Sequence, residues 1–447
     1  SEYEHLFVSI SMFNSRFDEF FALLDLDFYD YIVIDEAHHS QADSYRKLFD
    51  HFQPQLLVGL TATPERMDGK DLRPDFGNRI SAEIRLPQAL QAGLLTPFQY
   101  LCISDDTDLS DDSLWSGQKY NIERLADKLC DKARAQLIVD ALHKYLADEY
   151  TCRALCFCVN KRHADFMAEQ LRLYGFNAQS LTSDTPADKR KQLAKNLREG
   201  TLHYLCVVDI FNEGVDIPEV DTVLFLRPTE SLTIFLQQLG RGLRLSAGKT
   251  ELTVLDFVAQ ANRKYDFASR FRALTLQPEK NIQKQIKEGF TLLPLGCSIV
   301  MEKKARQYIL DNISSAIYNK NRIVNEINSY ATIPTLTQFL ENNGQDIRIL
   351  YQGSNCWSSL KREAGRISYD DDAVTKRLEK GVSNLIHHNT SSFLRFVERF
   401  IAGVDVHKVD GNKTYAIMLY YALFQDKLSK TGYSSINEAL ELIHLPK

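Results

Sequence analysis

Apolar residues along this chain fall into two periodicities. Short unbroken runs stand at Tyr31–Ile34, Leu56–Leu60, Ala154–Val159, Tyr204–Val208, Thr222–Leu226 and Leu252–Leu255. Runs of aliphatic and β-branched residues without polar alternation read as strands buried on both faces, the pattern of a parallel sheet. Between them lie stretches of helical period, such as His163–Tyr174, which ends ahead of Gly175. Strands alternating with helices predict an α/β fold with helices on both faces of parallel sheets.

The pattern divides the chain into four blocks. Residues 1–100 and 126–275 carry the strand–helix alternation. Residues 101–125, with Ser104-Asp-Asp-Thr-Asp-Leu-Ser-Asp-Asp-Ser113, are acidic and polar and read as a surface linker or insertion. Residues 276–447 are rich in Asn, Gln, Lys and helix formers and predict a mostly α-helical C-terminal region. No internal repeat or low-complexity segment stands out.

Composition is that of a globular chain: 447 residues, 44% hydrophobic and 25% charged, enough for two or three domains. No run reaches the ~18 apolar residues that a membrane helix needs, and Ser1-Glu2-Tyr3-Glu4-His5 has neither a basic start nor an apolar signal core. The start without Met gives the expectation of a longer or trimmed protein. Cys152, Cys156 and Cys158 flank or lie in a strand-like run rather than at turns in paired CxxC spacing, so buried thiols are expected over a zinc site. Eight thinly spread cysteines fit a reducing cytoplasm. The net charge of −6 argues against a uniformly basic surface. Its distribution is uneven: residues 281–447 carry 21 Lys+Arg against 17 Asp+Glu, and residues 1–280 carry 32 against 42. Local basic tracks, not global charge, grip phosphates.

Candidate chemistry clusters at strand ends. Ile32-Val-Ile-Asp-Glu-Ala-His-His39 closes a β-branched strand with two adjacent acids. Ligands of open parallel sheets bind at the carboxyl ends of strands. There Asp35 is the candidate holder of a hydrated Mg²⁺, and Glu36 the candidate base for an attacking water. His38 is placed to relay to neighbouring polar loops. Gly59-Leu-Thr-Ala-Thr-Pro64 ends the next buried run, with Thr61 and Thr63 as small hydroxyl donors. Asp209-Ile-Phe-Asn-Glu-Gly-Val-Asp-Ile-Pro218 follows another strand, and Gly214 allows a ligand close to the backbone. In Gln237-Gln-Leu-Gly-Arg-Gly-Leu-Arg244, Arg241 and Arg244 are spaced i, i+3 and share one face on a helix or tight turn, suited to neutralise a transferring phosphoryl group. Gln237 is expected to bridge to His38.

In this order and spacing, the segments resemble motifs II, III, V and VI of superfamily 2 helicases, with Ala154–Asn160 and His163-Ala164 similar to motif IV. Thr63-Pro-Glu-Arg-Met-Asp-Gly69 and Val220–Thr229 resemble a narrower group, bacterial DEAD/DEAH helicases related to type III restriction motor subunits. The resemblance covers roughly residues 1–300. It implies two RecA-like domains, the first incomplete, closing on Mg·ATP. It further implies that Thr61 and Thr63 couple hydrolysis to domain movement and that Asp216 is an acid aimed at the nucleotide. Phe7–Met12 is similar to the segment ahead of the DEAH strand, where Ser9 is either a nucleic-acid backbone contact or part of a plain strand.

The resemblance also calls for a phosphate-cradling GxxxxGK[ST] loop upstream of the acids, yet only 34 residues precede Asp35. Gly248-Lys249-Thr250 has Leu243 where the first Gly belongs, and reads as a surface turn. The expectation is an ATP-dependent helicase or translocase, acting on DNA with RNA as the other choice, whose chain is inactive alone. The competing expectation is a non-hydrolysing nucleic-acid-binding or scaffold subunit of a restriction or defence complex, with a nuclease module elsewhere. The aromatic C-terminal residues Phe393, Phe396, Phe400, Tyr415, Tyr420 and Tyr421 have helical spacing and are expected to pack a core rather than stack on bases.

Overall fold

The computed structural model describes residues 5–37, 40, 43–61, 73–77, 80–117, 119–208, 217–278, 280–315, 320–328, 330, 332–343, 347–351, 355–369, 372–388, 390–402 and 412–425. The chain forms two compact units, Ser1–Ile317 and Tyr318–Lys447.

The first unit begins with helix Ile10–Ser15, where the Phe7–Met12 reading included a plain strand. Ser9 is the reason: its hydroxyl accepts the Met12 amide at 3.2 Å and caps the helix. Strands β1 (Tyr31–Ile34) and β2 (Leu56–Gly59) pair in parallel, with Tyr31 opposite Leu56 and Ile34 opposite Gly59. Helix Asp43–His51 connects them. Among the described residues these two strands pair only with each other. Tyr31, Val33 and Leu56 are therefore left exposed on one face.

The remaining strands are β3 (Phe98–Leu109), the short antiparallel pair β4 (Trp115–Ser116) and β5 (Lys119–Tyr120), then β6 (Ala154–Phe157), β7 (Ala178–Leu181), β8 (Tyr204–Val207), β9 (Thr222–Phe225), β10 (Leu252–Ala261) and β11 (Ser298–Met301). Seven of them make one all-parallel sheet in the order β11-β3-β10-β9-β6-β8-β7. The chain leaves β6 toward β8 and β7, then returns to β9 on the other side. The switch point therefore lies between the carboxyl ends of β6 and β9.

The acidic segment read as a linker is mostly strand. Phe98–Leu109 lies between β10 and β11, with Phe98, Tyr100, Cys102 and Ile103 buried. Its acids mislead because they find partners instead of water. Asp105 is buried against Arg134 (2.7 Å) and bonded by the Thr107 hydroxyl (2.6 Å). Likewise β11 brings residues 298–301, outside the 126–275 block, into the same sheet.

A buried ionic cluster ties this sheet to its helices. Arg270 donates to Asp256 (3.1 Å), the Tyr100 hydroxyl (2.9 Å) and the Tyr265 hydroxyl (2.7 Å), while its guanidinium lies 4.2 Å from the Phe235 ring centre. Tyr265 in turn donates to the Thr229 carbonyl at 3.1 Å. The cysteines of β6 and β8 are buried and free, filling the core beside Tyr204.

The second unit is helical: Lys320–Asn328, Leu336–Asn343, Trp357–Glu363, Ala373–Val382, Ser391–Ile401 and Asn412–Phe424. Phe393, Phe396, Phe400 and Tyr420 pack its core with Leu419 and Leu423, and Tyr415 packs against them. Tyr421 faces outward.

Two outcomes test these contacts. Asp256→Asn strands the buried Arg270 charge, and the unfolding free energy should fall by about 3–5 kcal/mol in chemical denaturation of the first unit. Glu302 accepts from Tyr145 (2.6 Å), Lys144 (2.9 Å) and the Ser104 amide (2.8 Å). Burial works to raise its pKa, but these bonds outweigh burial and draw it down from 4.5 to about 2. The stability it contributes is therefore present above pH 4.5 and lost as pH falls toward about 2. Glu302→Gln should flatten that acid limb of a melting-temperature profile.

Candidate functional site

The acid turn is built by the crossing of β1 and β2. The Leu60 amide donates to Ile34 O (2.8 Å), and the Ala37 amide returns to Leu60 O (2.8 Å), so the residues after β1 fold tightly over the end of β2. Gly59 makes this possible: a Cβ there would lie 2.8 Å from the Phe76 ring and 2.9 Å from Ala37 Cβ. Thr61 continues directly from this crossing. Thr63 and His38 lie outside the described residues, as do Gly214 and Asp216.

Glu36 takes a φ of +50°, a left-handed conformation that L side chains seldom adopt. Asp35 Oδ1 accepts the Glu36 amide at 2.9 Å and supports the turn. Such local strain is commonly held at functional sites by surrounding structure. Beyond the turn, Arg46 donates to both oxygens of Asp75 (3.0 and 2.8 Å) and to Ser40 O (3.1 Å), and the Ser40 hydroxyl also reaches Asp75 (3.2 Å). Tyr45 stands near the acid pair: burial, then the charges of Asp35 and Glu36, raise its phenol pKa. Nothing in the sequence pattern marks Tyr45, whose relation to the acids appears only when helix Asp43–His51 packs back.

Helix Leu232–Gly242 presents the arginine motif. Ser231 caps it through the Ile234 amide (3.3 Å), and Phe235 and Leu239 anchor it in the core. Gly242 lets its end close on the sheet, since a Cβ there would come within 2.5 Å of Leu252. On the helix, positions 237 and 241 fall on one stripe. Arg241 is in the last turn and Arg244 just past the cap, both partly exposed.

The acid turn and this helix meet. The Gln237 side-chain amide donates to Glu36 Oε1 at 2.9 Å, across 201 residues of chain. Among the described residues the glutamine reaches Glu36; the expected bridge to His38 lies outside them. Arg241 thus shares a helical face with a residue already touching the carboxylate, and Arg244 follows in the turn after the helix. Asp35 is exposed at the same strand end. An exposed carboxylate beside a second one suits a hydrated divalent cation, so the donor set fits Mg²⁺ on the acid side. Ser9 is exposed, but its hydroxyl is engaged as a helix cap.

Parallel sheets flanked by helices, with an acid turn at a strand end and the Gln237 helix reaching it, define an α/β fold of the RecA-like class. Two family models match: the helicase conserved C-terminal domain over residues 137–246 and the type III restriction enzyme res subunit over residues 1–66. Over these two segments the chain is similar to superfamily 2 helicases, in the part related to restriction motor subunits. IRC3 of Saccharomyces cerevisiae, whose name assigns it as an ATP-dependent helicase, is 29% identical over 238 residues, 52% of this chain and 34% of IRC3. The EcoKI type I restriction enzyme endonuclease subunit of Escherichia coli is 25% identical over 310 residues, 58% of this chain and 26% of that subunit. Among solved structures, the ATP-dependent Type ISP restriction-modification enzyme LlaBIII bound to DNA aligns with a TM-score of 0.47 at 16% identity, over 98% of this chain and 32% of LlaBIII. The chain thus spans half or less of the length of the curated relatives it matches. Among the described residues no helix is long and apolar enough to cross a membrane.

The Glu36–Gln237 contact is open to direct test. Gln237→Glu sets a second carboxylate against Glu36, so the acid turn and the arginine helix should separate at neutral pH. Energy transfer between dyes at exposed Leu23 and Leu173 should fall relative to the parent. An unchanged distance would remove the contact as a latch.

Proposed function

We propose that the protein bearing this chain is an ATP-dependent nucleic-acid translocase or helicase, and that DNA is its track. The reading rests on one observation: a strand-end glutamate and the arginine-bearing helix are joined at 2.9 Å. DNA is favoured because a restriction-enzyme family model and a restriction-enzyme subunit are among its matches.

In this reading Asp35 would hold Mg²⁺ through its waters, and the bound ion would supply charge neutralisation for the triphosphate. Glu36 accepts a proton from the attacking water. Arg241 and Arg244 approach from the other side and neutralise charge on the transferring phosphoryl group. Gln237 holds Glu36 until nucleotide arrives and keeps the two sides in register. Thr61, with Thr63, His38, Gly214 and Asp216, belongs to the coupling and nucleotide contacts that the family resemblance assigns. None of the 447 residues forms GxxxxGK[ST]. Phosphate cradling is therefore assigned to no residue of this chain, and this chain by itself is expected to turn over poorly.

The test is nucleic-acid-stimulated ATP hydrolysis by the complete protein. Glu36→Gln should lower kcat by ~10²–10⁴ while ATP still binds, and Arg241→Ala should lower it by ~10³–10⁵. Unimpaired hydrolysis in Glu36→Gln would overturn the assignment. Failure of the complete protein to hydrolyse ATP with any nucleic acid would favour a scaffold subunit.

A further inference from the structure

The turn that follows the arginine helix is held from two directions. Helix ends leave their last carbonyls without intrahelical donors. Here the Lys249 ammonium supplies three bonds at once, to Gly242 O (2.5 Å), Arg244 O (2.9 Å) and Pro218 O (3.1 Å). The Gly248-Lys249-Thr250 turn that reads from sequence as plain surface is thus a clasp, with Lys249 partly buried. Burial draws the Lys249 pKa down to about 8, against the pull of Asp221 and Glu219.

Buried Thr96 holds the same turn from the opposite side. Its amide donates to Leu243 O at 2.8 Å and its hydroxyl to Arg244 O at 3.0 Å. Thr96 lies between helix Leu86–Gln91 and β3, on the stretch of chain that leads from the β1–β2 lobe into the seven-stranded sheet. The next residue is also fixed, since Pro97 O accepts the Leu252 amide at 2.8 Å. Arg244 O is therefore shared by a cation and by the connecting segment.

We propose that Lys249 and Thr96 are positioning residues that clamp the Arg244 turn, setting the arginine stripe against the acid turn and fastening it to the connection between the lobes. The proposal rests on the ATP-driven reading for its kinetic consequence but not for the clamp itself. A three-carbonyl clasp resists rotation of the turn, and the Thr96 bonds make any pivot of the connecting segment start before Thr96.

The experiment pairs hydrogen exchange with kinetics. In this chain, Lys249→Met should speed amide exchange at residues 243–246 by about tenfold or more, with β6 amides unchanged, because local opening governs exchange there. Unchanged exchange would overturn the clamp whether or not the protein hydrolyses ATP. In the complete protein, Lys249→Met should lower kcat about tenfold or more while changing the KM for ATP less than about threefold, as expected where only transition-state contacts are displaced. Lys249→Arg keeps a donor cation and should recover most of kcat. Thr96→Val should act in the same direction, and the double variant should lose less than the product of the two single losses. A kcat loss with no recovery in Lys249→Arg, or a loss that simply tracks the unfolded fraction, would overturn the positioning role. If the complete protein hydrolyses no ATP with any nucleic acid, the ATP-driven reading fails and the exchange result still decides the clamp.

Discussion

Among the described residues, the Gln237 amide on Glu36 at 2.9 Å is a hydrogen bond that joins the acid turn to the arginine helix. Its two ends are built by unrelated means. Glu36 is carried on a strained turn made by β1 and β2, whereas Gln237 stands on a helix seated in a large core. Because the bond spans 201 residues, its geometry depends on everything that keeps the two elements in place. A bond of this kind contributes only about 1 kcal/mol by itself. It marks the meeting of acid and arginine surfaces rather than supplying the force that brings them together.

The arginine side is the stiffer. Phe235 and Leu239 enter the core, Arg270 stacks on Phe235 while paired with Asp256, and Gly242 allows an approach no larger residue would fit. The acid side rests on less. Two strands make its sheet, and Tyr31, Val33 and Leu56 remain exposed where parallel strands are normally covered on both faces. Tight main-chain crossing at Leu60, the close contact at Gly59 and the Arg46–Asp75 pair hold the turn. Arg46–Asp75 is partly solvent-exposed and adds modestly.

Much of this was legible in sequence. Buried strands announced themselves as unbroken apolar runs, so β1, β2, β6, β8 and β9 fall where the pattern places them, within a residue or two. The aromatic residues of Ser391–Ile401 declared a packed face through their spacing. The helix carrying Gln237 and Arg241 was also readable, since it depends on local geometry, whereas Arg244 falls in the turn after it. By contrast, β3 was hidden, because acids such as Asp105 look solvated until Arg134 is seen beside them. Lys249 looked like one more surface cation for a similar reason: the carbonyls it binds at Pro218, Gly242 and Arg244 come from separate segments.

The amino-acid order alone therefore determined the α/β class, the strand positions with unbroken apolar runs and the motif segments at strand ends, since each follows from neighbours a few residues apart. Tertiary structure decided which acids are buried, why Phe98–Leu109 is strand rather than linker, and that Gln237 meets Glu36. Those outcomes turn on contacts between residues far apart in the chain. Desolvation and pairing energies there are set by surroundings that no local pattern specifies.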